Sequence, residues 1–131
     1  MRLADRSRFV VPGIPHDAYL ALNRVCDVML DTIHWSGGNT SLDALASGLP
    51  VVTQPGAFMR GRQSRAMLEG LKVPELIAVD EEGWVETAVR LGRDRSLRRA
   101  LSERIVANAG EIFARDEPMR ALEEFFEGVW K

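Results

Sequence analysis

The chain has 131 residues, and its composition of 46% hydrophobic and 27% charged residues excludes a disordered polypeptide. Its 17 basic and 19 acidic residues give a formal charge of −2, so no general excess of positive charge draws it to nucleic acid or to an anionic membrane. No apolar run approaches the ~20 residues of a membrane-spanning helix, and we expect one domain of a cytoplasmic protein.

Short apolar runs alternate with helical patterns along most of the chain. Strands are predicted at residues 9–11, 27–31, 51–53 and 76–79. Helices are predicted at residues 16–26, after the glycine-rich residues 37–41, and at residues 62–71, 82–91 and 96–109, with a last helix opened by Pro118. Parallel neighbours need crossover connections, so the alternation predicts an α/β fold in which a parallel sheet of about four strands is flanked by helices and followed by a helical tail.

Residues that commonly bind metals or form disulfides are scarce. Cys26 is the single cysteine, which excludes an internal disulfide, and we expect its thiol to be buried. His16 and His34 are the only histidines, and neither has an acidic residue or cysteine at a typical ligand spacing, so we predict no bound metal. The first 11 residues lack the pattern of a secretory signal, and we expect the chain to enter midway in a longer protein.

The segment with the chemistry of a binding site follows the second predicted strand. Between Asp31 and Arg60 the only side chain charged at neutral pH is that of Asp43, and Gly37 and Gly38 stand before a helix. Ligands of open α/β sheets bind at the carboxyl ends of strands, and free N–H groups at residues 38–41 are suited to hold phosphate oxygens there. A diphosphate is therefore the predicted ligand.

Asp43 lies one helical turn beyond Asn39, where a carboxylate would repel phosphate but accept hydrogen bonds from ribose hydroxyls. The alternative is that Asp43 only stabilises the helix N-terminus and that the two glycines only permit a turn, and the pattern alone leaves both interpretations open. The sequence lacks the G-x-x-x-x-G-K-[ST] and G-x-G-x-x-G loops, which disfavours a Walker ATPase and a dehydrogenase.

The run DVMLDTIHWSGGNTSLDALASGLPVVTQPGAF resembles the C-terminal domain of the O-linked N-acetylglucosamine transferase and SPINDLY-like glycosyltransferases, and MRGRQSRAMLEGLKVPELIA extends the likeness to bacterial members. The resemblance begins at about Arg8 and reaches the last helix. It implies the GT-B architecture of two Rossmann-like lobes, with residues 1–131 forming part of the donor-binding C-terminal lobe. It also implies transfer of a sugar, such as N-acetylglucosamine, from a UDP-sugar to protein Ser or Thr hydroxyls with inversion, and the UDP-sugar is a substrate, so no cofactor is predicted.

Carried over by position, the resemblance implies that Gly38, Asn39 and Thr40 hold the donor diphosphate and that Asp43 lies near the ribose. His16 and Tyr19 fall near positions that approach ribose and base. The predicted donor-binding residues are His16, Tyr19, Gly37, Gly38, Asn39, Thr40 and Asp43.

This sequence departs from the family pattern at several of these positions. Family members often have Lys in place of His16 and His in place of Tyr19, and often His and Thr in place of Gly38 and Asn39. Tyr19 can stack on a base or simply rest on the sheet as part of an amphipathic helix, and both interpretations stay open. No catalytic base is identified.

The C-terminal residues 111–131 are predicted to form a tail helix with an apolar stripe, which consists of Met119, Leu122, Phe125, Phe126, Val129 and Trp130. We expect this stripe to pack on a lobe outside the chain or on another chain, with a homodimer as the testable form. Little or no transfer is expected from the chain alone. Two further functions remain open: a non-catalytic α/β module for protein interaction, and a sugar-nucleotide epimerase of the same two-lobed architecture.

Overall fold

The computed structural model describes residues 13–130. Helices dominate these residues, and each element begins close to a sequence signal. The α-helices are α1 (His16–Val25), α2 (Asn39–Ala46), α3 (Gln63–Gly70), α4 (Glu81–Arg93), α5 (Arg95–Ala107), α6 (Gly110–Phe113) and α7 (Glu117–Val129). The strands are β1 (Met29–Leu30) and β2 (Val51–Val52), and two 3₁₀-helices cover Met59–Gly61 and Pro74–Leu76.

The sheet is smaller than the four strands predicted from the sequence. Strands β1 and β2 pair in parallel, with Met29 opposite Val51 and Leu30 opposite Val52. The fourth predicted strand makes only one parallel bridge, between Thr53 and Ile77. The prediction for residues 9–11 lies outside the described residues.

The fourth predicted strand is short because both of its ends belong to other elements. Pro74 fixes the first turn of a 3₁₀-helix that continues through Leu76. Asp80 then caps α4, its carboxylate accepting a hydrogen bond from the Gly83 N–H at 2.8 Å. Too few residues remain between these two signals for a longer ladder.

Gly48 follows the end of helix α2. The φ of Gly48 is 76°, the left-handed conformation that glycine adopts without steric cost. The Gly48 N–H donates to the Leu45 carbonyl at 3.0 Å, and the Leu49 N–H donates to the Ala44 carbonyl at 2.9 Å. This pair of bonds defines a Schellman motif, which satisfies the last carbonyls of the helix and turns the chain into β2.

The hydrophobic core lies between the strands and the helices that cover them. Twelve buried residues form it, namely Ala44, Leu45, Leu49, Val51, Val52, Leu68, Leu71, Val73, Leu76, Leu91, Leu101 and Ile105. They come from α2, β2, α3, α4 and α5 and from the connections between them, so burial of apolar surface ties the middle of the chain into one unit.

Two regions outside this core are exposed to solvent. Cys26 is exposed at the end of α1, so the expectation of a buried thiol was wrong. Cys26 directly follows the last turn of α1, and its side chain is exposed to solvent instead of packing in the core. Helix α7 is exposed along its whole length, and the rings of Phe125 and Phe126 contact each other edge to face with centroids 5.6 Å apart.

Candidate functional site

A cavity of about 540 Å³ opens where the chain leaves β1 and enters α2. It lies at the carboxyl end of the parallel pair, the edge at which ligands of α/β sheets bind. Eight residues line it: Thr32, Trp35, Ser36, Gly37, Gly38, Asn39, Thr40 and Gln63. The structure therefore brings four of the seven predicted donor-binding residues, 37–40, to one cavity.

The start of α2 presents backbone donors at this cavity. The first bond of the helix runs from the Leu42 N–H to the Gly38 carbonyl, at 3.1 Å. Among the hydrogen bonds of residues 13–130, none uses the N–H groups of residues 38–41. Ser41 is fully buried and does not line the cavity, so the donors that face it are the N–H groups of residues 38–40. Together with the positive end of the helix dipole, these donors form an arrangement suited to an anion.

Gly37 differs from the residues that follow it. Its N–H donates to Asp31 Oδ1 at 2.7 Å and is already used within the protein. A Cβ added at Gly37 would lie 2.4 Å from Ser41 Oγ and 2.8 Å from Thr40 Oγ1, so any side chain there would displace these two hydroxyl groups. Gly37 thus permits a close backbone turn, whereas residues 38–40 supply the free donors.

A buried polar network stands behind the turn. It consists of Asp31, Ser36, Ser41, Thr53 and Ser64, and each of these residues is at most 3% exposed. Asp31 Oδ2 accepts hydrogen bonds from Ser36 Oγ and Thr53 Oγ1, both at 2.7 Å. Ser64 Oγ lies 2.9 Å from Ser36 Oγ and 2.8 Å from Ser41 Oγ. The network joins the ends of β1 and β2 to the first turns of α2 and α3.

His16 and Asp43, two predicted site residues 27 positions apart, are in contact. His16 Nε2 lies 3.0 Å from Asp43 Oδ2, and this contact links the first residue of α1 to α2. Asp43 Oδ1 makes no hydrogen bond to the described residues, so one carboxylate oxygen remains for a hydroxyl group. Neither residue lines the cavity, and Tyr19, half-buried one turn further along α1, does not line it either.

The cavity has the chemistry of a binding site. None of its described lining residues carries a carboxylate, an imidazole or a cationic side chain. The Arg60 guanidinium lies over the Phe58 ring at 4.8 Å from the centroid, and the Arg60 carbonyl accepts a hydrogen bond from the Ser36 N–H at 2.8 Å. Charge on a bound phosphate would thus be met by backbone donors, and proton transfer requires groups other than the lining residues.

Sequence reasoning missed three features of the site. Trp35 lines the cavity with 67% of its surface exposed, and the signal was an aromatic residue directly before the glycine turn. Gln63 reaches the cavity from the start of α3, and its Oε1 lies 3.0 Å from the position of a Cβ added at Gly38. The buried polar network was also missed, although Asp31 at a strand end pointed to it.

Two kinds of feature are absent from the part of the chain that the structure describes. Within residues 13–130, no group of three or more His, Cys, Asp or Glu side chains has the arrangement of a metal site. None of the helices in this part of the chain combines the length and apolar character needed to cross a bilayer.

Comparison with known proteins gives one consistent result. The family model described as glycosyl transferase family 41 matches residues 4–114. The chain is 28% identical over 130 residues to a UDP-N-acetylglucosamine–peptide N-acetylglucosaminyltransferase of Caenorhabditis elegans, a match that covers 97% of this chain and 11% of the relative. It is 31% identical over 100 residues to a UDP-glucose:protein N-beta-glucosyltransferase of Actinobacillus pleuropneumoniae, covering 76% of this chain and 16% of that protein.

Among solved structures, a mutant form of the O-GlcNAc transferase of Thermobaculum terrenum superposes with a TM-score of 0.79 at 33% identity. The match covers 89% of this chain and 23% of the other. The chain thus spans between about a tenth and a quarter of the length of the proteins it is similar to.

Proposed function

Since the chain belongs to glycosyl transferase family 41, we propose that it is the nucleotide-sugar-binding part of a protein glycosyltransferase. The observation that carries the proposal is the cavity of about 540 Å³ at the start of α2, where the N–H groups of the lining residues 38–40 have no described protein acceptor. Such a helix start binds the diphosphate of a nucleotide sugar. It also stabilises the charge that develops on the leaving UDP during transfer.

The remaining predicted residues take positions around this diphosphate site. Asp43 holds its Oδ2 against His16 and offers Oδ1 to a ribose hydroxyl. The exposed indole of Trp35 and the ring of Tyr19 supply flat surfaces for a base or a sugar ring. In this arrangement the nucleoside lies toward α1 and the sugar lies toward the cavity beside Trp35.

We further propose that the transferred sugar is N-acetylglucosamine or a related sugar and that the acceptor is a protein Ser or Thr hydroxyl. The support is the resemblance over most of the chain to a UDP-N-acetylglucosamine–peptide transferase. The similarity to a UDP-glucose:protein N-beta-glucosyltransferase makes glucose the competing donor for any test. Because no described lining residue can act as a base, we expect little transfer from these 131 residues alone.

Helix α7 is the second element with a proposed role in the assembly. Its exposed apolar residues include Phe126, Val129 and Trp130, the last of which is 92% exposed. We propose that the stripe is covered either by a lobe outside this chain or, in the isolated chain, by a second copy of α7. An isologous contact between two such stripes would make a homodimer.

The test is a titration with UDP, GDP and the corresponding nucleotide sugars, carried out on the complete natural protein that contains this chain. The double variant Asn39→Ala with Asp43→Ala is expected to lower the affinity for UDP by at least about tenfold, because the cavity-lining Asn39 side chain and the proposed ribose contact of Asp43 are both removed. Glu82→Ala with Ser96→Ala, two exposed helix positions away from the cavity, serves as the matched control.

Unaltered UDP affinity in the double variant would show that the site is assigned wrongly. Absence of any nucleotide binding by the complete protein would favour a non-catalytic interaction module. Conversion of the donor sugar without an acceptor would favour an epimerase. Tighter binding of GDP than of UDP would replace the proposed donor.

A further inference from the structure

The buried polar network behind the turn links α2 and α3 to the Asp31 carboxylate through hydroxyl groups. Four hydroxyl groups, those of Ser36, Ser41, Thr53 and Ser64, make four close O···O contacts with one another or with Asp31. Ser64 Oγ also lies 3.4 Å from the Gly37 carbonyl oxygen, to which it can donate.

The Asp31 carboxylate only accepts hydrogen bonds. It takes the protons of Thr53 and Ser36, each at 2.7 Å. Ser36 Oγ also lies 2.9 Å from Ser64 Oγ and accepts a hydrogen bond from the Ser64 N–H at 3.0 Å. Ser64 Oγ lies 2.8 Å from Ser41 Oγ, and either hydroxyl can be the donor. Ser41, in the first turn of α2, is therefore linked to Asp31 through Ser64 and Ser36.

Such a network is energetically less favourable than apolar packing of the same volume. Burying a carboxylate and four hydroxyl groups costs free energy that apolar side chains of the same size would not require. What the network adds is a set of fixed positions, because a group that moves out of the network leaves a buried partner unpaired. The fixed atoms include the Gly37 N–H, held by Asp31 Oδ1 at 2.7 Å, directly before the free donors of residues 38–40.

We propose that Ser64 is a positioning residue for the donor diphosphate, acting through this network on the N–H groups of residues 38–40. The proposal rests on the proposed function, since it assumes that a diphosphate binds at the start of α2. Ser64 is fully buried and does not line the cavity, so it acts only through other groups. Its hydroxyl contacts both Ser36 and Ser41, and its backbone N–H donates to Ser36 Oγ at 3.0 Å.

Removal of the Ser64 hydroxyl predicts a specific defect. In Ser64→Ala, Ser41 Oγ and Ser36 Oγ each lose a hydroxyl partner. Ser41 belongs to the first turn of α2, so this turn is the part of the site that loses its fixed position. The groups proposed to contact the nucleoside are Asp43, further along α2, and His16, in α1, and their contact with each other does not include the network.

The experiment compares the binding of uridine, UMP and UDP by the complete natural protein and its variants. In Ser64→Ala we expect the affinity for UDP to fall about tenfold while the affinity for uridine changes less than about twofold, a difference of about 1.4 kcal/mol at the diphosphate. Thr53→Val, which keeps the volume but removes the hydroxyl at the far end of the network, is expected to act in the same direction more weakly. If Ser64→Ala does not fold, Thr53→Val takes its place in the experiment.

The control is Ser47→Ala, which removes a half-buried hydroxyl of the same region whose only described partner is the Asp43 carbonyl at 2.9 Å. It is expected to leave the ratio of UDP to uridine affinity unchanged. A general loss of stability would lower both affinities by the same factor, so an unchanged ratio in Ser64→Ala and in Thr53→Val would overturn the proposal. If the unsubstituted protein does not prefer UDP to uridine, the proposed function fails and the positioning role fails with it.

Discussion

Gly48 and Lys72 occupy equivalent positions at the ends of two helices, but only Gly48 is the residue type that this position favours. The backbone φ is 76° at Gly48, after α2, and 60° at Lys72, after α3. The Lys72 N–H donates to the Glu69 carbonyl at 3.1 Å, and the Val73 N–H donates to the Leu68 carbonyl at 3.0 Å. Both helices thus end in a Schellman motif, and lysine carries the steric cost of a Cβ in the left-handed region.

This comparison predicts opposite effects of two substitutions on stability. Lys72→Gly is expected to raise the free energy of unfolding by about 0.5–1 kcal/mol, because it removes the steric cost and loses only an exposed contact with Glu111. Gly48→Ala is expected to lower it by more than about 1 kcal/mol, because the new Cβ would also lie 3.0 Å from Ser102 Oγ. Urea unfolding of the two variants measures both changes, and a loss of stability in Lys72→Gly would contradict the assignment.

Glu75 gives the protein a defined response to acid. Burial alone would raise the pKa of this carboxyl, but the hydrogen bond and charge of Arg104 outweigh burial and hold the pKa below its ordinary value. Arg104 also donates to the Lys72 carbonyl, so the pair ties α5 to the segment after α3. A carboxyl with a lowered pKa in the folded state contributes stability above its unfolded pKa, and this contribution disappears as the pH falls through the folded pKa.

The pH dependence can be measured by comparing Glu75→Gln with the unsubstituted protein. Glu75→Gln is expected to be less stable at neutral pH, and the difference should shrink as the pH falls through the lowered pKa of Glu75, where the unsubstituted carboxyl also becomes protonated. Glu86→Gln, at an exposed position of α4, is the matched control and should show no such trend. A difference that stays constant from pH 7 to pH 3 would mean that the charge of Glu75 does not contribute.

At the scale of whole elements, helix α7 carries the prediction about assembly. If two copies cover their stripes with each other, the isolated chain sediments as a dimer at high concentration. Phe126→Glu places a charge in the centre of the stripe and is expected to shift the chain to a monomer, because an unpaired charge is not buried in an apolar contact. Glu123→Gln, on the polar face, is the control. An unchanged sedimentation coefficient in Phe126→Glu would remove the dimer.

The elements that could be predicted from the sequence are those with local signals. Helices α4 and α5, predicted at residues 82–91 and 96–109, follow Asp80 and Asp94, and each aspartate caps its helix; the Asp94 carboxylate accepts a hydrogen bond from the Leu97 N–H at 2.9 Å. Gly48 likewise marks the end of α2. The fourth strand was predicted too long, because an apolar run such as residues 76–79 fits a strand whether or not a partner pairs along its whole length.

At the scale of the whole molecule, the sequence identified the family and four residues of the cavity lining but not the groups that shape the cavity. The glycine turn is contiguous, so residues 37–40 could be recognised together. Ser64 lies 28 residues from Ser36, and serine is too common for its spacing to indicate a contact. The contact between His16 and Asp43 likewise depends on how α1 crosses α2, which no local pattern specifies.

The position of the buried polar network has a consequence for how this site changes during evolution. Everything that fixes the turn lies behind it, whereas Asn39 and Thr40 are exposed at its front and no bond of the network includes their side chains. Substitutions at the front can therefore accumulate without disturbing the frame that carries them. We expect directed evolution of the cavity to begin at these exposed front positions, with the frame behind them left unchanged.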